Sequence, residues 1–265
     1  MARSLFAVPP PPLAADQALF LDVDGTLAPF APTPEAVALP AGVRDDLARL
    51  CDRLQGAVAL ISGRPLDQLD ALLHPLQLSA AALHGHQWRH AGRLGQGLAP
   101  DPAQRLALER HAAQIAAALP GIRIEDKGDG LALHWRQVPR HGPAVTAAVR
   151  QLVDNTPDRL SGYRLQPGDH VLEFVPQGSD KGRALRHLMG LPPFRGRRPV
   201  HIGDDLTDEH AFAAAMALGG EGVLIGDRTP SLARYRLPSP SHLHAWLHRA
   251  ATAPTDGVTH DHRFA

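Results

Sequence analysis

Residues 18–26 read ALFLDVDGT. Four apolar side chains run unbroken into two aspartates, and the run stops at Gly25. A strand covered on both faces has this continuous apolar character, and parallel strands of α/β sheets are its usual setting. Working outward, Ala57–Ile61 (AVALI) repeats the pattern and stops at Ser62-Gly63, and Ala80–Leu83 is a third short strand. Between them, Leu39–Leu54 has helical spacing at Val43, Leu47, Leu50 and Leu54, and Pro65–Leu73 opens a helix with proline in its first turn. The alternation resumes late in the chain, with helices over Lys181–Met189, Asp208–Leu218 and His242–Ala251 and strands over Pro199–Ile202 and Gly222–Ile225. This order predicts an α/β core with a mostly parallel sheet.

The middle of the chain reads differently. Asp101-Pro102 opens an amphipathic helix that runs to Leu119. Ile122–Glu125 and Leu131–Arg136 follow as strands, then a helix over Pro143–Val153, then Tyr163–Gln166 and Val171–Val175 around the turn Pro167-Gly168-Asp169. Leu131, Leu133 and Trp135 alternate with Ala132, His134 and Arg136, so one face is buried and one open. The α-β-β-α-β-β order predicts an inserted α+β module with an antiparallel sheet. The expected division is a Pro-rich tail over 1–12, a core over 13–100 and 178–251, the module over 101–177, and a polar tail over 252–265.

Composition excludes several function classes. The 265 residues carry 27 basic and 27 acidic side chains, whereas a nucleic-acid or anionic-membrane binder shows a basic surplus. No apolar run approaches the roughly 20 residues of a membrane span, and Leu5–Val8 is too short for a secretory core of about 7–15 residues. A cytoplasmic protein, expected to be monomeric, fits these readings. Cys51 is alone and forms no internal disulfide. Most of the 16 histidines are expected at the surface, including His242, His244 and His248, which have no evident carboxylate partner. Of the basic residues, 25 are arginine and only Lys127 and Lys181 are lysine.

Ligands of such cores bind outside the carboxyl ends of the strands. The first strand ends in Asp22-Val23-Asp24-Gly25-Thr26, the second in Ser62-Gly63-Arg64, and the late strand in GDDLTDE (203–209); Lys181 begins the helix before that strand. Four or more converging carboxylates repel one another unless a cation offsets them. An all-oxygen donor set beside a phosphate points to Mg²⁺. Carboxylate, hydroxyl, ammonium and Mg²⁺ around one point make a phosphoryl-transfer site. Asp22 is the candidate nucleophile and Asp24 the candidate acid/base.

DVDGT with Ser62, Lys181 and GDD (203–205) resembles the haloacid-dehalogenase-type phosphatase superfamily, whose core is Rossmann-like. Within it, GDDLTDE, ALHWR (132–136) and EFVPQGSDKG (173–182) resemble the trehalose-6-phosphate phosphatase family. The resemblance implies Asp22 as nucleophile and Asp24 as acid/base. It implies Mg²⁺ held by the Asp22 side chain, the Asp24 main-chain carbonyl and Asp204, with Thr26, Asp205 and Asp208 in support. Ser62 and Lys181 would grip the phosphoryl oxygens. The inserted module would be a cap whose Glu125, Lys127, His134, Arg136 and Glu173 read the sugar, with Arg64, His84 and Gly85 contributing from the core. The implied partner is a small sugar phosphate. Two positions depart from the family pattern: His86-Gln87 stands where a small residue and a glutamate are expected, and Val175 where an arginine is expected before Pro176. Both departures are read as touching substrate recognition. A phosphatase for another sugar phosphate, a phosphomutase and a non-catalytic phosphosugar sensor are the alternatives.

Overall fold

The computed structural model describes residues 8–31, 36–156, 158 and 160–254. Residues 1–7 of the expected Pro-rich tail and 255–265 of the expected polar tail lie outside the described residues. The described part of the first tail is docked on the core. Pro10 is buried, the Val8 carbonyl accepts from the Arg236 N–H at 3.0 Å, and the Pro11 carbonyl accepts from the Trp246 indole at 3.1 Å.

The larger sheet contains β1 (Gln17–Leu21), β2 (Val58–Ile61), β3 (Ser79–Ala82), β4 (Gln87–His90), β5 (Arg93–Gln96), β10 (Arg198–Gly203), β11 (Glu221–Ile225) and β12 (Tyr235–Leu237). Its order is β12-β11-β10-β1-β2-β3-β4-β5. The pairs from β12 through β3 are all parallel, and β4 and β5 continue the edge as an antiparallel hairpin. All five β1 residues are buried, which explains its unbroken apolar run. Of the flanking helices, α1 (Val43–Arg53) packs with α7 (Pro240–Thr252) and α5 (Lys181–Met189) with α6 (Asp208–Ala217), while α2 (Leu66–Leu73) lies against β3 and β4. The three strands that sequence reading missed lie at the two edges. QWRH, RLGQ and YRL carry polar residues on partly exposed positions, so neither an apolar run nor a clean alternation marks them.

The second unit contains α3 (Pro102–Ala118), β6 (Arg123–Lys127), β7 (Gly130–His134), α4 (Gly142–Asn155), β8 (Tyr163–Gly168) and β9 (Val171–Pro176). Its antiparallel sheet has the order β6-β7-β9-β8. Leu131, Leu133, Leu172 and Phe174 pack with Leu108, Ile115, Val145 and Val149 of the two helices in a separate small core. The other face carries a row fixed by register, in which Glu125 pairs with Ala132, Ala132 with Glu173, and Glu173 with Gln166. Period-two alternation puts these four on one side of the sheet.

The close approach of α5 to α6 depends on Gly182. A Cβ there would stand 2.4 Å from the His210 carbonyl oxygen. Gly182→Ala therefore forces backbone apart, at a cost of about 1–3 kcal/mol. The melting temperature should fall by roughly 2–12 °C for a chain of this size. An unchanged melting temperature would contradict the tight contact.

Candidate active site

β10, β1 and β2 lie side by side and run parallel, and the order in which the chain adds strands changes sides between β1 and β10. The carboxyl ends of these strands deliver Asp22, Ser62 and Asp204 to one place. The turn after β1 is shaped by Gly25, at φ +83°, where a Cβ would lie 2.2 Å from Asp204 Oδ2. The Gly25 N–H donates to the Ala28 carbonyl at 2.8 Å, which closes the turn. Thr26 Oγ1 donates to Asp204 Oδ1 at 2.9 Å and joins the ends of β1 and β10.

Lys181 is the first residue of α5, behind the N-cap Asp180. It is only 3% exposed. Its ammonium stands 2.9 Å from Asp22 Oδ1 and 2.8 Å from Asp208 Oδ1. Burial would lower its pKa, but the two carboxylates outweigh burial and hold it well above the ordinary lysine range. Asp208 is fully buried. Its Oδ1 also meets His201 Nε2 at 2.7 Å, and its Oδ2 accepts from the Asp205 N–H at 3.1 Å. Burial pushes the Asp208 carboxyl up, yet Lys181 and His201 together bring it below the usual carboxylate range. The neighbours behave oppositely. Burial, reinforced by the charges of Asp208 and Asp204, raises Asp22 well above its ordinary value despite Lys181. Asp204 is pushed up to about 7 by burial and by the charge of Asp208, and burial raises Asp205.

Asp22, Asp204 and Asp208 bring carboxylate oxygens within 4.8 Å of one another. Three anions that close, with one ammonium among them, form an all-oxygen donor set short of positive charge, which suits a hard cation. Asp208 is already engaged through both oxygens by Lys181, His201 and the Asp205 N–H. Asp22 and Asp204 are therefore the side chains available to hold an ion.

Asp24 is clamped by Arg64, with Nε and Nη2 donating to its two oxygens, both at 2.7 Å. The Arg64 N–H also donates to Ser62 Oγ at 3.2 Å. Opposite these groups lies the open face of the smaller sheet. Lys127 Nζ donates to Glu173 Oε1 at 2.6 Å and reaches across to the Gly63 carbonyl at 3.2 Å. His84 Nε2 meets Glu173 Oε2 at 2.8 Å, and His134 Nε2 meets Glu125 Oε2 at 2.7 Å. Burial works against the Glu173 charge, but Lys127 and His84 hold its carboxyl well below the ordinary range. Burial likewise opposes the Lys127 charge, and Glu173 and Glu125 raise its pKa.

Core and smaller sheet enclose a cavity of about 320 Å³. It is lined by Asp22, Asp24, Ser62, Arg64, His84, Glu125, Lys127, His134, Arg136, Glu173, Lys181, Asp204 and Asp205, all of them expected from sequence. Thr26, Gly85 and Asp208 stand behind the lining. Gly85, at φ +94°, packs against α5, where a Cβ would be 2.8 Å from the Ala184 Cβ, so its place is in packing rather than at the sugar. Gln87 and Val175 do not line the cavity either. Gln87 opens β4 beside β3, and Val175 is buried in β9, so these two departures lie off the site expected to read substrate.

Sequence reading missed several lining residues, among them Phe30, Gln68, Arg123, Gln166 and Asp169. Phe30 lies beneath Arg136, whose guanidinium carbon is 5.4 Å from the ring centroid. Gln166 was legible, since it lies two residues from Arg164 and shares the polar face of a strand already identified. Most of the described histidines are at least partly exposed, as expected, but three are not. His84, His86 and His201 are buried, and each pairs with a carboxylate. His248 Nδ1 lies 3.1 Å from Asp46 Oδ1, so it has the partner that sequence reading did not find.

A parallel sheet bearing an aspartate cluster at its switch point, with an α+β unit facing that cluster, defines a haloacid-dehalogenase-like hydrolase. Solved structures agree on the fold. The Candida albicans trehalose-6-phosphate phosphatase C-terminal domain superposes with a TM-score of 0.80 at 21% identity, over 89% of this chain and 91% of that one. A haloacid dehalogenase-like hydrolase from Bacteroides thetaiotaomicron gives 0.63 at 18% identity, over 88% and 98%. The trehalose-phosphatase family pattern matches residues 20–241. Escherichia coli trehalose-6-phosphate phosphatase is 37% identical over 92% of this chain and 90% of its own length. A probable trehalose-phosphate phosphatase of Sinorhizobium fredii is 39% identical over 81% and 79%. The chain belongs to the trehalose-phosphatase family and is a phosphoric monoester hydrolase.

The ammonium of Lys181 serves single oxygens of two different carboxylates, and a planar guanidinium matches that geometry poorly. Lys181→Arg should lose nearly as much phosphatase activity as Lys181→Ala, on the order of a hundredfold or more in kcat. Phosphate release by the two variants checks this, and full activity in the arginine variant would refute it.

Proposed function

We propose that this enzyme hydrolyses trehalose 6-phosphate to trehalose and phosphate with Mg²⁺, through an aspartyl-phosphate on Asp22. The observation that carries the reading is one cavity with two chemically distinct walls. Its core wall is a carboxylate and ammonium cluster suited to a phosphoryl group. Its other wall carries Glu173 paired with Lys127 and His84, Glu125 paired with His134, and Gln166, side chains able to exchange their partners for sugar hydroxyls. About 300–1,000 Å³ is the usual range for small-molecule sites, and this cavity falls within it. The activity of the E. coli relative supports the same substrate.

In the proposed mechanism, residues 101–177 act as a cap over the core. Glu125, Lys127, His134, Arg136 and Glu173 orient the disaccharide, and closure excludes water from the first step. Ser62 and Lys181 grip the phosphoryl oxygens. An Asp22 oxygen forms a bond to phosphorus as the bond to the sugar oxygen breaks, and Asp24 protonates that leaving oxygen. Both its oxygens accept from Arg64 in the resting geometry, so Asp24 first gives up at least one Arg64 bond and takes up a proton from solvent, and the second step restores that proton. Asp24 then takes a proton from water, the water oxygen attacks phosphorus, and the Asp22–phosphorus bond breaks. The Asp22 and Asp204 carboxylates and the Asp24 carbonyl would hold Mg²⁺, which would supply positive charge to the phosphoryl oxygens and to the crowded acids.

Over a panel of sugar phosphates, kcat/KM should be highest for trehalose 6-phosphate, and Asp22→Asn should abolish turnover. Another ester preferred tenfold would sink the substrate assignment, and an active Asp22→Asn would sink the nucleophile. Dialysis against a chelator should remove activity and added Mg²⁺ restore it. Activity that survives exhaustive chelation would rule out the metal.

A further inference from the structure

His201 sits in the middle of β10, a strand whose other residues have no titratable side chain between Pro199 and Gly203. It is fully buried and packs against Phe212, with ring centroids 5.5 Å apart. Its Nε2 lies 2.7 Å from Asp208 Oδ1, and its Nδ1 has no partner among the described residues. A carboxylate can only accept, so Nε2 carries the proton and Nδ1 is a bare acceptor in an apolar setting. A buried polar atom left unpaired is unfavourable. An apolar side chain of similar size would avoid that penalty, so what this histidine adds is its one bond to Asp208.

Asp208 does not line the cavity; it stands behind Lys181, and its Oδ1 receives both the Lys181 ammonium and the His201 N–H. Two donors on one oxygen fix the carboxylate's rotation, and the Asp205 N–H fixes the other oxygen. Without His201, Lys181 is the only side-chain donor left to this anion among the described residues. The ammonium is then drawn toward Asp208 and away from Asp22. We propose that His201 is a positioning residue for phosphoryl transfer: by sharing the charge of Asp208, it leaves the Lys181 ammonium available to Asp22 and to the phosphoryl oxygens.

The inference rests on reading Lys181 as part of the phosphoryl grip. The test compares His201→Phe, His201→Gln and Lys181→Ala in the full chain, with trehalose 6-phosphate and with p-nitrophenyl phosphate, a small ester lacking the sugar. His201→Phe removes the donor and the unpaired nitrogen together, so its melting temperature should stay within a few degrees of the parent. Its kcat should fall tenfold or more, while KM for the sugar phosphate changes less than threefold. kcat/KM for the small ester should fall by a similar factor, because the loss lies at the phosphoryl group. His201→Gln keeps an amide donor on a side chain of similar reach and should recover most of kcat. If His201→Phe keeps full kcat, or if Gln loses as much as Phe while both stay folded, the positioning role is wrong. A loss of activity that only tracks a loss of melting temperature also overturns it. If Lys181→Ala is itself fully active, the grip assignment fails, and that outcome is separable from the others.

Discussion

One buried ammonium organises the site. Lys181 lies inside the protein, where an unpaired charge would cost several kcal/mol even after relaxation. It is tolerated because Asp22, at the end of β1, and Asp208, at the start of α6, each place an oxygen within 3 Å. Three elements distant in sequence are thereby pinned at the carboxyl edge of the sheet. The glycines follow from the same requirement. Gly182 lets α5 approach α6 closely enough for the contact, and Gly203 leaves the Asp208 carboxylate space beside β10, where a Cβ would lie 2.1 Å from Cγ.

The pairing is uneven, and the unevenness locates the missing charge. Asp208 is held below the ordinary carboxylate range while Asp22, Asp204 and Asp205 are pushed above theirs. Lys181 and His201 satisfy the acid at the back of the site, and the acids that line the cavity remain undercompensated. Other carboxylates of the cavity are not in this position, since Asp24 has Arg64 and Glu173 has Lys127. The deficit is thus confined to the neighbourhood of Asp22 and Asp204, where the proposed Mg²⁺ and the phosphoryl group come together.

The central strands and their tips were legible because burial on both faces leaves a continuous apolar run, and because acids at the end of such a run have no structural reason to be there. The smaller sheet was legible by alternation, and Glu173 between Val171 and Val175 showed in advance that a carboxylate shared an enclosed face. The edge strands β5 and β12, and β4 beside β5, carry neither signal. The partners of Asp24 and Asp208 were hidden for another reason. Arg64 and His201 reach them through tertiary packing, and a histidine in an apolar strand looks the same in sequence whether it pairs with an acid or with water. Gly85 shows the opposite error: the motif LHG marked a site residue, but its positive φ and its contact with Ala184 make it a packing residue.

The scarcity of lysine now has a geometric reading. Some arginines of this chain make forked pairs, as Arg64 does with both oxygens of Asp24 and Arg198 with both oxygens of Asp16, while Arg105 spreads its donors over Glu109, Asp126 and the Gly130 carbonyl. Each fork is spent on one carboxylate. The two lysines do something a fork does poorly. Lys181 presents one nitrogen to single oxygens of Asp22 and Asp208, and Lys127 presents one nitrogen to Glu173 and to the Gly63 carbonyl. In both places a compact cation links two elements rather than closing on one partner. One link lies inside the core and the other joins the core to the smaller sheet. The first fixes the acids of the core wall, and the second, with the His84–Glu173 contact, ties that wall to the smaller sheet across the cavity.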